Sequence, residues 1–234
     1  QFNAGRGAAL QADGQARLTA AVMESERQAF SGVIGARYLL HPSELAKFLQ
    51  NRRARVLTEP GTELLARELA IPVESVVTPK RMQRWAERIQ VGEVFSDESC
   101  DTVGAVVRHA DGRLAVGTST GGRGFEYPGR VSDSATVAGT YCSSVAAVSA
   151  TGTGEQIVDD ALAARLETRL RDGMSLETAC RRCLDEAIAR KRSYGWIALD
   201  HEGQWAAVHT TPAMSWIVLS IDGCLASAVS VSYT

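Results

Sequence analysis

The sequence predicts an α/β protein, a layered sandwich in which sheets built from antiparallel hairpins are covered by helices on their outer faces. Three observations carry this. Short runs rich in Val, Ile, Ala and Trp recur after residue 102, turn signals separate consecutive runs, and two amphipathic stretches lie between the strand groups. β-branched and aromatic residues suit a pleated, half-buried surface. A sheet that is apolar on one face has to bury that face against another layer. The chain has 234 residues, enough for a sizeable core in one large domain or two small ones.

The elements follow in order. "FNAGRGAAL" and "FSGVIGARYLL" are glycine-containing apolar runs, and the second fits helix or strand. "HPSELAKFLQNRR" reads as a helix with Pro42 in its first turn and Leu45, Phe48 and Leu49 on one face. "GTELLARELAIP" is a second helix, stopped near Pro72, and residues 79–100 read as a helix followed by a mobile linker ending at Cys100. From Thr102 onward "TVGAVV", "RLAVGTS", "SVAAVSA", "GWIALD", "QWAAVHT" and "SWIVLSI" are strands. Ala110-Asp111-Gly112 and His201-Glu202-Gly203 make hairpins of two pairs. "EQIVDDALAARLETRLRDG" reads as one amphipathic helix with Gly173 suited to its C-terminal cap. "SLETACRRCLDEAIARK" is another, opened by Ser175.

Composition excludes several classes. The formal net charge is −2, which gives no basis for a nucleic-acid or anionic-membrane partner. The basic runs at Arg52, Arg53 and Arg55 and at Arg190 to Arg192 read as solvated helix ends. No apolar run approaches the roughly 20 residues that span a bilayer. No signal peptide is visible, so the expected compartment is the cytoplasm. The chain starts at Gln1 rather than Met, which leaves the periplasm open. The five cysteines show no framework spacing, which argues for reduced thiols. Cys180 and Cys183 have CxxC spacing but lie on the apolar face of a helix with no second pair to complete a metal site, so they read as core. No histidine falls in a metal motif. "STGGRGFEYPG" lacks both the helix of a dinucleotide fingerprint and the lysine of a P-loop.

Thr102 stands out. It opens an apolar strand after a polar linker, and Asp101 precedes it directly. Gly104 permits close backbone approach, and hydroxyl-rich segments recur at 118–122 and 151–154. "DTVGAVV", "TSTGG", "PGRVSDS" and "SATGTGE", in that order, resemble the β-chain of plant-type asparaginases and isoaspartyl peptidases, which are N-terminal-nucleophile hydrolases. "FNAGRG" resembles the glycine-rich loop of that family's α-chain, so the likeness covers nearly the whole chain.

The resemblance implies an αββα four-layer sandwich. Residues 1–101 would form a helical α-chain portion and residues 102–234 a β-chain portion, together one domain. It implies self-cleavage between Asp101 and Thr102, after which the Thr102 hydroxyl is the nucleophile and its freed α-amine the base. By position, Thr120 supports the nucleophile, Thr151 and Gly152 form the oxyanion hole, Arg130 holds a substrate α-carboxylate and Asp133 its α-ammonium. On the Arg–Asp spacing alone a local salt bridge is the favoured reading, and the place of the pair within "PGRVSDS" reverses that. The implied reaction is hydrolysis of β-aspartyl peptides or asparagine with release of aspartate. No cofactor is required, although relatives often bind a structural sodium, here expected near Phe2 and Ala4. The implied assembly is a dimer of cleaved αβ heterodimers.

Some residues depart from the pattern. Asparaginases usually carry Gly before the nucleophile, and Asp101 looks more like glycosylasparaginase or taspase, which keeps their specificities open; a second alternative, a relative that binds amino acids without cutting itself, is disfavoured by the presence together of Thr102, Thr120, Arg130, Asp133, Thr151 and Gly152. "GRVSDSA" has Ser132 and Ala135 at altered positions, and "LTAAVMES" has Thr19. In "KRSYGW", Ser193 and Tyr194 stand where relatives carry glycines and are expected to crowd the pocket.

Overall fold

A computed structural model describes residues 3–92 and 102–231. Phe2, Cys100 and Asp101, and with them the expected linker and one side of the expected cleavage site, lie outside the described residues. The chain is a mixed α/β protein with several sheets and helices.

Five strands form one sheet in the order β3-β2-β1-β5-β4, where β1 is Leu18–Glu24, β2 Ala29–Ala36, β3 Val56–Leu57, β4 Val103–Arg108 and β5 Leu114–Thr120. A second sheet has the order β6-β7-β8-β9, from Thr140–Cys142, Ala146–Gly152, Tyr194–Asp200 and Trp205–His209. The strands β10 (Ala213–Ser220) and β11 (Gly223–Val231) pair with each other as a separate hairpin. The ambiguous run "FSGVIGARYLL" is therefore a strand, β2. The portion before Thr102, expected to be helical, also supplies three of the five strands in the sheet that holds β4. Helical spacing and short-strand apolar runs overlap there, and only pairing into the sheet, β1 on β5 and β2 on β1, separates them.

Three helices of that first portion are α1 (Pro42–Leu49), α2 (Glu59–Glu68) and α3 (Pro79–Gln90). Each has Pro in its first turn, where a missing N–H costs nothing. Leu45 and Leu49 of α1 bury against Ala20, Val33 and Ala36. The expected long helix after "SATGTG" is two: α4 (Gly154–Asp159) and α5 (Leu162–Arg171), broken where Ala161 turns left-handed at φ 46°. The break lets Ile157, Leu162, Leu166 and Leu170 all reach the same cluster with Trp196 and Tyr194. Helix α6 (Leu176–Ala189) begins at Ser175, whose hydroxyl accepts from the Thr178 N–H, and it buries Cys180 and Cys183.

The two sheets meet through Met23, Leu114, Val116, Cys142 and Ala147. A polar seam also crosses between them. The Thr118 hydroxyl lies 2.7 Å from that of Ser149, and Thr140 Oγ1 lies 2.6 Å from Thr118 Oγ1 and 2.8 Å from the Ser134 carbonyl. Buried hydroxyls satisfied in this way cost little and fix one register between the layers.

Candidate active site

The antiparallel register of β4 and β5 pairs Val103 with Ser119 and Gly104 with Thr118. Thr102 directly precedes the first pair of this ladder and Thr120 directly follows it. Strand β1 flanks the other side of β5 and pairs Thr19 with Thr120. Alternate residues of β5, Leu114, Val116, Thr118 and Thr120, are buried, while those between are half-buried, the period-two pattern of a sheet with one face on the core.

Gly104 shows which way β4 faces. A β-carbon there would lie 2.2 Å from Ser149 Oγ and 3.8 Å from Ile197 Cδ1. Only hydrogen fits between the sheets at this point. By strand alternation Thr102 shares the face of Gly104, and Thr151 shares that of Ser149. Thr102, Gly104, Ser149, Thr151 and Ile197 accordingly line one cavity of about 380 Å³.

Gly152 ends β7 opposite Tyr194 with φ +129°. A β-carbon there would lie 2.4 Å from Tyr194 Cα and 2.7 Å from the Ser193 carbonyl oxygen. The following peptide is held by the Thr153 N–H, which donates to that carbonyl at 2.9 Å. Tyr194 itself does not crowd the cavity. Its side chain turns to the opposite face of β8, is fully buried among the helices, and donates to Asp160 Oδ2 at 2.8 Å. Asp160 also accepts from Arg190 at 2.5 Å and from Arg192 at 3.2 Å, so Arg190, the exposed cap of α6, and the less exposed Arg192 also serve as ion-pair partners.

Arg130 and Asp133 converge on Gly154, where α4 begins. A β-carbon on Gly154 would lie 2.7 Å from Asp133 Oδ1 and 3.0 Å from Arg130 Nη2. Arg130 does not pair with Asp133. It is bound to Glu155, with Nε and Nη2 at 2.8 and 2.7 Å from Oε1. Asp133 is 4% exposed, and its Oδ2 is buried without a hydrogen-bond partner. Burial pushes its carboxyl up to about 7, against the opposing pull of its own backbone N–H and of the Arg130 guanidinium. A carboxylate buried with an open oxygen has unused capacity for a donor, and a cation suits it best. Burial also raises Glu155, but its own backbone N–H and Arg130 outweigh it and hold that carboxyl below the ordinary range.

Thr120 is buried, and its hydroxyl accepts from the Gly122 N–H at 3.3 Å. It lines a smaller cavity of about 130 Å³ together with Thr19, Arg130 and Ser132. The loop carrying Ala4 docks on this strand end: the Asn3 side chain donates to the Gly122 carbonyl at 2.7 Å and accepts from the Gly121 N–H at 3.3 Å. Among the described residues no group of three or more His, Cys, Asp or Glu side chains could hold a metal ion.

Spacing alone did not single out Ser149, Glu155 or Gly154 as parts of the site. Ser149 and Glu155 flank "TGTG" by two residues and one, but which way each points depends on the partner strand and on the start of α4.

A hydroxyl-rich cleft lies between the two sheets, and an arginine and a buried carboxylate meet at the start of α4. Residues 1–226 match the family model described as asparaginase, and the chain belongs to that family. It is 45% identical over 217 residues to an isoaspartyl peptidase/L-asparaginase of Nostoc sp., covering 87% of this chain and 68% of the relative. It is 41% identical over 226 residues to one of Synechocystis sp., covering 92% and 69%. It is 35% identical over 230 residues to an isoaspartyl peptidase of Salmonella typhimurium, covering 91% and 74%.

Proposed function

We propose that the chain is an amide hydrolase of N-terminal-nucleophile type. On this reading it cuts itself before Thr102 and then hydrolyses β-aspartyl peptides and asparagine, releasing aspartate. The carrying observation is the convergence of Arg130 and Asp133 on Gly154, three residues along from the Thr151 that shares a cavity with Thr102. The names of the relatives support the same substrates.

In this reading the Asp133 carboxylate binds the substrate ammonium beside Gly154, and Arg130 exchanges Glu155 for the α-carboxylate. The Thr102 hydroxyl attacks the β-carbonyl while its proton passes to the freed α-amine, whose reference pKa of about 7.7–8.0 leaves a useful neutral fraction. The carbonyl oxygen takes up the electron pair and is held by the Thr151 hydroxyl and the Gly152 N–H. Collapse of that intermediate expels the amine, which leaves with the proton held by the α-amine. Water then hydrolyses the aspartyl ester and frees Thr102. Thr120, at the same end of the ladder as Thr102, keeps the nucleophile oriented. Before cleavage the α-nitrogen is an amide and accepts no proton, so the uncut chain is inactive. Cleavage itself uses the same hydroxyl on the carbonyl of Asp101. Helices on the outer faces of the two sheets support the αββα arrangement. A sodium near Phe2 and Ala4 would be held by main-chain oxygens, which suit a hard cation, and no step runs through it. The assembly is a dimer of cleaved heterodimers.

The test is an intact-mass spectrum under denaturing conditions, fresh and after incubation at neutral pH, followed by turnover assays. Two fragments meeting between Asp101 and Thr102, with hydrolysis of β-aspartyl dipeptides that Thr102→Ala abolishes, support the reading. A single uncut species with no turnover overturns it. Turnover of a glycosylated asparagine alone moves the specificity to the glycosylasparaginase type.

A further inference from the structure

Helix α3 is the last element described before Thr102, and a buried apolar face does not hold it, since none of its residues is buried. Directed contacts hold it instead. They come from positions 81, 85 and 88, which are four and three apart and so share one face of the helix. Arg81 Nε donates to the Gly7 carbonyl at 2.8 Å. Trp85 Nε1 donates to the Gln11 carbonyl at 3.0 Å, and a β-carbon on Gly14 would come within 3.2 Å of the Trp85 ring. The half-buried Arg88 lies over Phe125, its guanidinium carbon 4.1 Å from the ring centroid.

Phe125 is where these contacts reach the site. It belongs to the loop that leads from Thr120, at the end of β5, to Arg130. It is 3% exposed with φ +60°, a left-handed conformation that a bulky residue keeps only when its surroundings impose it. Arg88 covers its ring, and its N–H donates to the Leu10 carbonyl at 2.7 Å. The next residues continue the constraint. The Ala12 N–H donates to the Glu126 carbonyl at 3.0 Å, and the Arg130 N–H donates to the Tyr127 carbonyl at 3.0 Å. The backbone at Phe125 thus sets where Arg130 leaves the loop to reach the start of α4.

We infer that α3 is a clamp on the Arg130 loop, with Arg88 and Trp85 as positioning residues for substrate binding. This rests on the hydrolase reading above. Cleavage before Thr102 puts Arg88 and Phe125 on separate chains, and their stack then bridges the two portions. Arg130 holds the α-carboxylate in the ground state and the transition state alike, so the clamp acts on KM rather than on kcat.

The test is steady-state hydrolysis of L-asparagine by the cleaved fraction, counted by intact mass, in wild type, Arg88→Ala, Arg88→Lys and Phe125→Gly. Arg88→Ala should raise KM about tenfold and leave kcat within about twofold, as loss of a half-buried cation–π contact does when it serves uniform binding. Arg88→Lys keeps a cation over the ring and should recover most of that KM. Phe125→Gly removes the ring and relaxes the backbone, so it should raise KM alike, and Arg88→Ala should add nothing to it. A merely structural helix would lower the folded or cleaved fraction and leave the KM of the remainder unchanged. That outcome in Arg88→Ala, or additive KM effects of Arg88→Ala and Phe125→Gly, overturns the clamp while the hydrolase stands. If Arg88→Ala gives no cleaved protein, Phe125→Gly and Trp85→Phe carry the test, and an unchanged KM in both overturns it. No turnover by cleaved wild type overturns the hydrolase reading and the clamp with it.

Discussion

Tyr194 Cα lies 2.4 Å from where a β-carbon of Gly152 would sit, so the end of β7 and the start of β8 touch backbone to backbone beside the Thr102 cavity. With φ at +129°, Gly152 also occupies backbone territory that side chains rarely adopt. Gly152→Ala should displace its own N–H and lower kcat by on the order of 10²–10³, the usual effect of losing one oxyanion donor. Steady-state kinetics and a thermal melt check this. An alanine variant with wild-type kcat would remove Gly152 from the site.

Asp133 should make both binding and stability pH-dependent. Its folded-state carboxyl is raised to about 7, so the ligand-free protein holds that proton more tightly than the unfolded chain does. The resulting stability is fully present below the ordinary carboxylate range and is lost as pH rises through about 7. Substrate ammonium needs the charged carboxylate, so KM should rise as pH falls through the same range. Asp133→Asn should flatten the pH dependence of the melt between about 4 and 7 and weaken binding at all pH values. A melt whose pH dependence Asp133→Asn leaves unaltered would contradict the assignment.

Gly104→Ala tests the contact between the sheets. Its new methyl would meet Ser149 Oγ at 2.2 Å, inside the seam that continues to Thr118 and Thr140. Overpacking of this kind typically costs about 1–3 kcal/mol, measured here by chemical denaturation. Gly112→Ala is the contrast: nothing lies within 4 Å of it, but φ is +90° in an exposed turn, so it should lose stability through backbone strain alone and leave the Thr102 cavity intact.

The thiols of Cys142, Cys180 and Cys183 should resist alkylation in the native state. All three are buried, and burial pushes Cys142 up to about 12, Cys180 up to about 11 and Cys183 upward. The thiolate is the reactive form. Peptide mapping after a short native alkylation, against a denatured control, checks this. Rapid native labelling of Cys180 or Cys183 would reopen a redox role for their CxxC spacing.

Local chemistry was legible where near neighbours decide it. The helices at Pro42, Pro79 and Ser175 start where Pro or a capping hydroxyl allows them to. The strands after Thr102 appear where the short apolar runs do. The same rules misjudged 155–173, because the left-handed turn at Ala161 serves packing on β7 that no local pattern encodes. They also left β2 undecided, since it is a strand through its pairing with β1, which in turn pairs with β5, about a hundred residues away in the chain.

By itself the sequence determined which residue types stand in which order: a threonine opening a strand, the "TSTGG", "PGRVSDS" and "SATGTGE" segments, and a composition free of charge excess. Tertiary structure alone decided which of these meet. Register set Val103 opposite Ser119, next to Thr102 and Thr120, sheet-on-sheet packing brought Thr102 and Thr151 into one cavity, and the start of α4 joined Arg130 to Glu155 rather than to Asp133. It also turned Tyr194 to the helices and left Trp216 in the cavity wall. The physical reason is range. Propensity and capping act within a turn or a strand, whereas the face a side chain presents and the partner of a buried charge depend on elements distant in the chain, and a shift of one residue in register reverses every face.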